Sequence, residues 1–436
     1  MSIQLLRVLY TGWGERWPLG MLALVDGTLL FEYSAEAQAR GVELSPLRAP
    51  LPRPGAAPAA IAGPRHTHGL PGFIADALPD GWGMLLMDRA FRKAGRDPRS
   101  VSVLERLAVV GEAAMGALAF EPADPLAADA VGAISLGTLA REVQSVLADD
   151  AEQTPALQLE RLLQVGGSPQ GARPKALLRW RPQVRRFSLM DDAGNTPSGE
   201  PWMIKFPAQG EHGEVCAIEA LYARLARAGG MQMPVSRFFA LAGRHAAFGV
   251  RRFDRQPHPQ RPTEEVRVPM ISLAALLDAD YRLPALDYST VLLATARLTG
   301  DYRETLKAFG RCVFNVLTHN RDDHAKNFAY LLGADGRWRL SPAFDLTFSH
   351  GPGGEHSTSV AGEGRTPGRA QLMQVAREGG IKPKDAEQII AHWLQALQPA
   401  PDLLAGLPIR AGTLRQMREA LTPVWQAVQD KDPIHA

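Results

Sequence analysis

The chain has 436 residues, 45% of them hydrophobic and 22% charged, an ordinary globular composition that excludes wholesale disorder. Lysine and arginine total 48 against 46 acidic residues; the net charge of +2 supports no general polyanion-binding surface and leaves room for a local basic cleft. At roughly 150 residues per domain the length suits two to three domains, with enough chain to bury a core without disulfides or a structural metal.

Taken in order, the N-terminal stretch shows no basic region leading into an apolar run with a small-residue cleavage site. GMLALVDGTLLFEYS places Asp26-Gly27 between two apolar runs, a hairpin signal. A proline- and alanine-rich loop is expected at 49–64, and 72–93 reads as helix on both sides of a Leu-Pro-Asp-Gly break. Residues 121–132 read as a linker and 133–150 as a helix. Beyond about 160 come a glycine-rich loop from Gly166 to Gly171, a strand at ALLRW, a polar hairpin at 190–200 and a strand at WMIKF. GEVCAIEALYARLARAGG has helical periodicity and stops at Gly229-Gly230, and VSRFFAL and AAFGVRRF read as strands. After about 260 the pattern is mainly helical, including 302–319 and 411–428, with one β pair, FAYLL and RWRL. Cys216 and Cys312, without CxxC spacing, read as buried free thiols of a reducing compartment. No run of roughly 18 apolar residues occurs, so the expectation is a soluble cytoplasmic protein with no membrane contact.

The fold class expected is α+β and bilobal: a β-rich subdomain over 1–125, a second β-rich unit with a glycine loop over 126–260, and a helical lobe over 261–436. Ligands favour clefts between such units, and the polar motifs gather at the junction. Asn320-Arg321-Asp322-Asp323-His324-Ala325-Lys326-Asn327 carries an Asp with an Asn five residues on, the spacing of a protein-kinase catalytic loop. Phosphoryl transfer needs a carboxylate to take the hydroxyl proton and an amide oxygen one turn away to hold a metal ion. A solvated turn presents the same pair, but here apolar VFNVL and FAYLL flank it. Asp345, at a strand end 18 residues beyond Asn327, can reach the same ion, or else caps a turn. Only 8 of the 48 basic residues are lysines, so Lys205 in the strand WMIKF is informative; a half-buried lysine needs an anion. Glu219, fourteen residues on, is its natural orienting partner, with a solvated helix position as the alternative. Gly166 to Lys175 offers backbone amides to phosphates without matching a Walker loop or GxGxxG.

GGSPQGARPKALL, MIKF, VRRFDR, RDDHAKNFAYLL and LSPAFDLT together resemble the motifs of the HipA-like serine/threonine kinases, the toxin part of HipBA toxin–antitoxin pairs. The hairpin, FIADALPDGW and LERLAVVGEAAMGALAFEP resemble that family's N-terminal subdomain, so the likeness spans essentially the whole chain. The resemblance implies a bilobal kinase-like fold using ATP and Mg²⁺, with Asp322 as catalytic base, Asn327 and Asp345 holding the metal and Lys205 the phosphates. It further implies that Gly171, Ala172 and Lys175 cover the nucleotide, that His324 contacts it, and that Arg251 and Phe253 form the adenine hinge, mostly through backbone. Ser168 matches a loop serine that autophosphorylates, which would eject the loop. Implied partners are a protein substrate, with aminoacyl-tRNA synthetases as the class the resemblance points to, and a HipB-like helix-turn-helix antitoxin; nothing in the chain resembles a DNA-reading helix.

This sequence departs from the family pattern in three places. Asp323 doubles the carboxylate and could compete for metal, Pro169 follows Ser168, and the polar segment 351–369 is either a substrate-gripping loop or a disordered one. The pairs His66/His68 and His350/His356 lack accompanying ligands for a metal site. The rivals are a small-molecule phosphotransferase of the same architecture and a catalytically idle antitoxin-binding or co-repressor module.

Overall fold

A computed structural model describes residues 3–53, 59–124, 126, 133–148, 155–167, 169–189, 199–243, 245–398 and 404–430. Ser168, most of the 121–132 stretch and nearly all of the 190–200 hairpin lie outside them.

Four antiparallel strands form the first sheet: β1 (Leu5–Tyr10), β2 (Trp17–Val25), β3 (Thr28–Tyr33) and β4 (Leu118–Glu121), in the order β3-β2-β1-β4. The β2–β3 turn is Asp26-Gly27 with φ of +48° and +78°, the left-handed pair that matches the twist of a tight hairpin. One face of this sheet buries Phe31 and Tyr33 edge-on to one another, with Phe73 beneath them from the short helix Gly72–Ala75.

A six-stranded antiparallel sheet follows, in the order β5-β7-β6-β8-β10-β9. Its strands are β5 (Ala133–Ile134), β6 (Lys175–Arg181), β7 (Arg186–Ser188), β8 (Glu200–Lys205), β9 (Ser236–Ala240) and β10 (Ala246–Arg251). The helix Glu214–Ala228 packs on β9 and β10. The helix Ala156–Gly166 packs on β6 and against Gly81–Lys93 of the N-terminal subdomain. Gly166 is thus the last residue of a helix rather than the first of the loop. A Cβ there would stand 2.7 Å from the Lys175 carbonyl oxygen and 2.8 Å from Trp82 Nε1, so glycine is required by close packing.

The hairpin β11 (Arg255–Pro257) and β12 (Glu265–Arg267) leads into the helical lobe. There the buried helix Tyr302–Leu317, capped at its N-terminus by Asp301, is surrounded by helices Tyr288–Thr299, Arg369–Glu378, Pro383–Ala396 and Ala411–Gln429. A small sheet of β13 (Met270–Ser272), β15 (Ala329–Leu332) and β16 (Trp338–Leu340) faces the cleft, with the residues after Leu317 looping back between helix and sheet. A parallel bridge between β14 (Leu286–Asp287) and β17 (Thr358–Ser359) fastens the segment after Asp345 to this lobe. Residues 351–369 are therefore not a loose surface loop. Among the described residues no helix is long and apolar enough to cross a membrane.

Candidate active site

Antiparallel pairing of β6 with β8 sets Lys175 directly opposite Lys205. Both side chains are buried. Lys205 Nζ lies 2.5 Å from Glu219 Oε1, reaching across from the Glu214–Ala228 helix, and 2.7 Å from Asp345 Oδ1 of the helical lobe. Burial opposes the charge on Lys205, but Asp345 and Glu219 together outweigh it and push its pKa upward. Burial also works against ionised Asp345, yet Lys205, with Lys175 behind it, holds that carboxyl well below the usual carboxylate range. Among the described residues Lys175 has no such partner: burial and the facing charge of Lys205 bring it down to about 8, and its ammonium donates to the Gln170 carbonyl. Two buried lysines opposite one another, only one neutralised, make a site suited to an anion.

Across the cleft, Asn327 Nδ2 donates to the Asp322 carbonyl at 2.6 Å, closing the five-residue turn and leaving the amide oxygen for another partner. The Asp322 side chain is 47% exposed, and the His324 ring lies beside it, Nε2 to Oδ1 3.7 Å. Partial desolvation and the neighbouring charge of Asp345 push the Asp322 carboxyl upward, the direction that favours proton acceptance.

Asp323 behaves oppositely. Its carboxylate is fully buried and accepts from Tyr288 Oη at 2.8 Å, His356 Nδ1 at 2.7 Å and the Thr358 amide at 3.2 Å. With three donors already on it, the Asp323 carboxylate ties the 320–327 turn to the 351–369 segment. Arg321 does the same from the other side, donating to the Gly354 and Arg365 carbonyls at 2.5 Å each, while its own carbonyl accepts the Ser357 amide at 3.1 Å. His356 serves this joint, and among the described residues no cluster of three or more His, Cys, Asp or Glu could hold a metal.

The glycine-rich loop is held from the N-terminal subdomain. Gln170 Nε2 donates to the carbonyls of Asp76 and Leu78, and Trp82 Nε1 to that of Lys175 at 3.1 Å. Gly171, at φ +108°, and Ala172 follow, and Arg173 pairs with Glu211 at 2.9 Å. Arg251 ends β10 with a long pairing to Glu200 at 3.9 Å, and Phe253 packs on Phe344 with ring centroids 5.5 Å apart.

The residues between and after those hinge positions have a role that sequence reasoning missed. Arg252, Asp254 and Arg255 form a buried ion network: Asp254 Oδ2 lies 2.7 Å from Arg252 and 2.8 Å from Arg255, and accepts the Gly116 amide at 2.9 Å. Burial opposes its charge, but the two arginines keep the Asp254 carboxyl well below the ordinary range. VRRFDR thus bolts the end of β10 to the N-terminal subdomain. An Arg-Arg-x-Asp-Arg run directly after the apolar strand AAFGV was the available signal, because buried charges must be paired.

A sheet carrying a lysine paired to a helix glutamate, facing a helical lobe with an Asp-x4-Asn turn and an Asp in the irregular stretch after β16, defines a bilobal protein of kinase-like architecture. The HipA N-terminal domain model matches residues 12–121 and the HipA-like C-terminal domain model matches residues 167–400, so the chain belongs to the HipA family. HipA of Shewanella oneidensis MR-1, from a toxin–antitoxin complex with HipB and operator DNA, covers 96% of this chain and 96% of its own, with TM-score 0.68 at 17% identity; the likeness is one of fold. The proinflammatory kinase CtkA of Helicobacter pylori covers 56% of this chain and 90% of its own, with TM-score 0.35 at 12% identity. Among curated proteins nothing matches.

Proposed function

We propose that this HipA-family chain is an ATP- and Mg²⁺-dependent serine/threonine protein kinase. The observation that carries the reading is the three-way contact of Lys205 with Glu219 and Asp345, set beside the Asp322–Asn327 turn. In this reading Lys205 and Lys175 draw the ATP phosphates into the cleft, Ala172 and Gly171 cover them, His324 meets them from below, and the backbone at Arg251 and Phe253 receives the adenine. Asp322 accepts the proton of the substrate hydroxyl as its oxygen bonds the γ-phosphorus and the bond to ADP breaks. Asn327 Oδ1 and Asp345 are hard oxygen donors that suit Mg²⁺, which typically takes one or two protein ligands and completes its shell with phosphate and water. When bound, that ion supplies charge neutralisation across the phosphates.

The family and the fold support a protein as substrate, an aminoacyl-tRNA synthetase being the class the resemblance favours. The S. oneidensis relative was solved with HipB and operator DNA, which supports a HipB-like antitoxin as partner here and a cytoplasmic setting. Ser168 is the proposed site of autophosphorylation; about −1.5 to −2 added charges would drive its loop out of the cleft. The test is intact mass and phosphosite mapping after incubation with Mg-ATP, beside Asp322→Ala. Phosphate on Ser168 in the wild type alone is expected. No transfer to itself or to candidate proteins, with ATP bound, would replace the kinase by an idle binding module; transfer only to small molecules would make it a phosphotransferase of another class.

A further inference from the structure

We propose that Asp80, from the N-terminal subdomain, is a positioning residue that clamps the glycine-rich loop onto the catalytic loop. Asp80 is the N-cap of the helix Gly81–Lys93, with the extended backbone of a cap, φ −130° and ψ −179°. An aspartate there ordinarily turns its carboxylate back on its own helix, yet Asp80 makes no such bond. Its two oxygens point outward to three other segments. Oδ1 accepts the amide of Gly171 in the glycine-rich loop. Oδ2 lies 2.8 Å from Nζ of Lys326, the residue before Asn327, and accepts from Tyr281 Oη at 3.1 Å.

Lys326 is itself fixed, with Nζ 4.0 Å from the centroid of the Tyr281 ring. The Asp80 and Lys326 side chains are only 20% and 16% exposed, so water screens the pair far less than a surface ion pair. Next to Asp80 the backbones meet directly: Gly81 is at φ +41°, and a Cβ on it would stand 2.6 Å from the Cα of Ala172. No side chain separates the cap from the loop. A glycine-rich loop has little rigidity of its own, so a charge-assisted bond at its tip adds to the Gln170 bonds in holding it shut. With its amide held by Asp80, Gly171 becomes the fastened edge of the loop. That this closes over a nucleotide rests on the kinase reading; the clamp does not.

Hydrogen exchange of the full chain, followed by mass spectrometry without nucleotide, tests the clamp directly. Asp80→Ala should speed exchange over residues 169–174 by about tenfold or more, as loss of a charge-assisted bond predicts for a local opening. Exchange in the helix Tyr302–Leu317 should not move. Lys326→Met, which keeps the Gly171 bond, should give a smaller rise, and the double variant should match Asp80→Ala. Asp80→Asn, which retains an acceptor for Gly171, serves if alanine does not fold, and should resemble Lys326→Met. ATP affinity should fall in Asp80→Ala, with turnover at saturating ATP changed far less. Unchanged exchange at 169–174 in a folded variant, a rise spread equally into the 302–317 helix, or a turnover loss at unchanged ATP affinity would each overturn the clamp. A wild-type chain that binds no nucleotide would sink the kinase reading, and exchange alone would then decide the clamp.

Discussion

Replacing Asp322 and Asp323 by alanine, one at a time, should have opposite consequences although the two are neighbours. Asp323→Ala strips the acceptor from the Tyr288 hydroxyl, the His356 ring and the Thr358 amide at a fully buried site. Each buried donor left without a partner costs about 1–3 kcal/mol, and local relaxation recovers part of the sum. The net is about 3–5 kcal/mol, the usual loss when one member of a buried polar network is removed. The damage propagates, because Tyr288 also accepts from Asn315, which in turn accepts from Asn320 at the head of the turn. At roughly 2–4 °C per kcal/mol, the melting temperature should fall by about 6–20 °C. Asp322→Ala removes a half-exposed carboxylate whose ring neighbour, His324, is 3.7 Å away, and should change stability by no more than about 0.5 kcal/mol. Thermal melts by circular dichroism, paired with phosphate incorporation from labelled ATP, separate the two: Asp322→Ala should melt with the wild type and transfer nothing. An Asp323→Ala protein melting within about 2 °C of the wild type would refute the hub role assigned to Asp323.

Nucleotide binding should be accompanied by proton uptake near pH 8. Lys175 sits at about 8 when free and must rise toward its ordinary value beside a phosphate, so about half a proton should be taken up at that pH. Calorimetry in buffers of differing ionisation enthalpy reads this number, and Lys175→Met should abolish it. Asp345 has a depressed carboxyl pKa, so its stabilisation is complete above its unfolded value of about 4 and is lost as pH falls through the lower folded one. Asp345→Asn should accordingly flatten the acid limb of a stability-versus-pH curve. Asp254→Ala leaves Arg252 and Arg255 buried without a counter-charge, a loss of about 3–5 kcal/mol. Limited proteolysis should then cut first between the N-terminal subdomain and the hinge; an unaltered digestion pattern would count against the bolt.

Much of the architecture was legible because its signals are local. The Asp26-Gly27 turn, the alternation in the strands around Lys205 and the 3.6-residue period of 302–317 each depend on a handful of adjacent residues. Motif spacing singled out Lys205, Glu219, Asp322, Asn327 and Asp345. Adjacency misled at one position and left a second segment open. Gly166 read as loop because glycine is a poor helix former, whereas the helix runs through it and needs a missing side chain to let Trp82 and Lys175 approach. The glycines and polar residues of 351–369 left a gripping loop and a disordered one both open, and Arg321 and Asp323 supply the partners that order them.

By itself the sequence determined the α+β class, the order of elements, the family to which its motifs belong and which carboxylate has the +5 asparagine. Only the tertiary structure decided what each charge faces. Whether Asp323 is a metal competitor or a buried hub, whether Arg252 and Asp254 serve a nucleotide or a subdomain joint, and where Asp80 sends its carboxylate all depend on contacts between residues tens to hundreds of positions apart. Secondary structure is set over one or two turns of chain. The sign, partner and burial of an ionisable group are set by what folds back against it, and no local pattern encodes that.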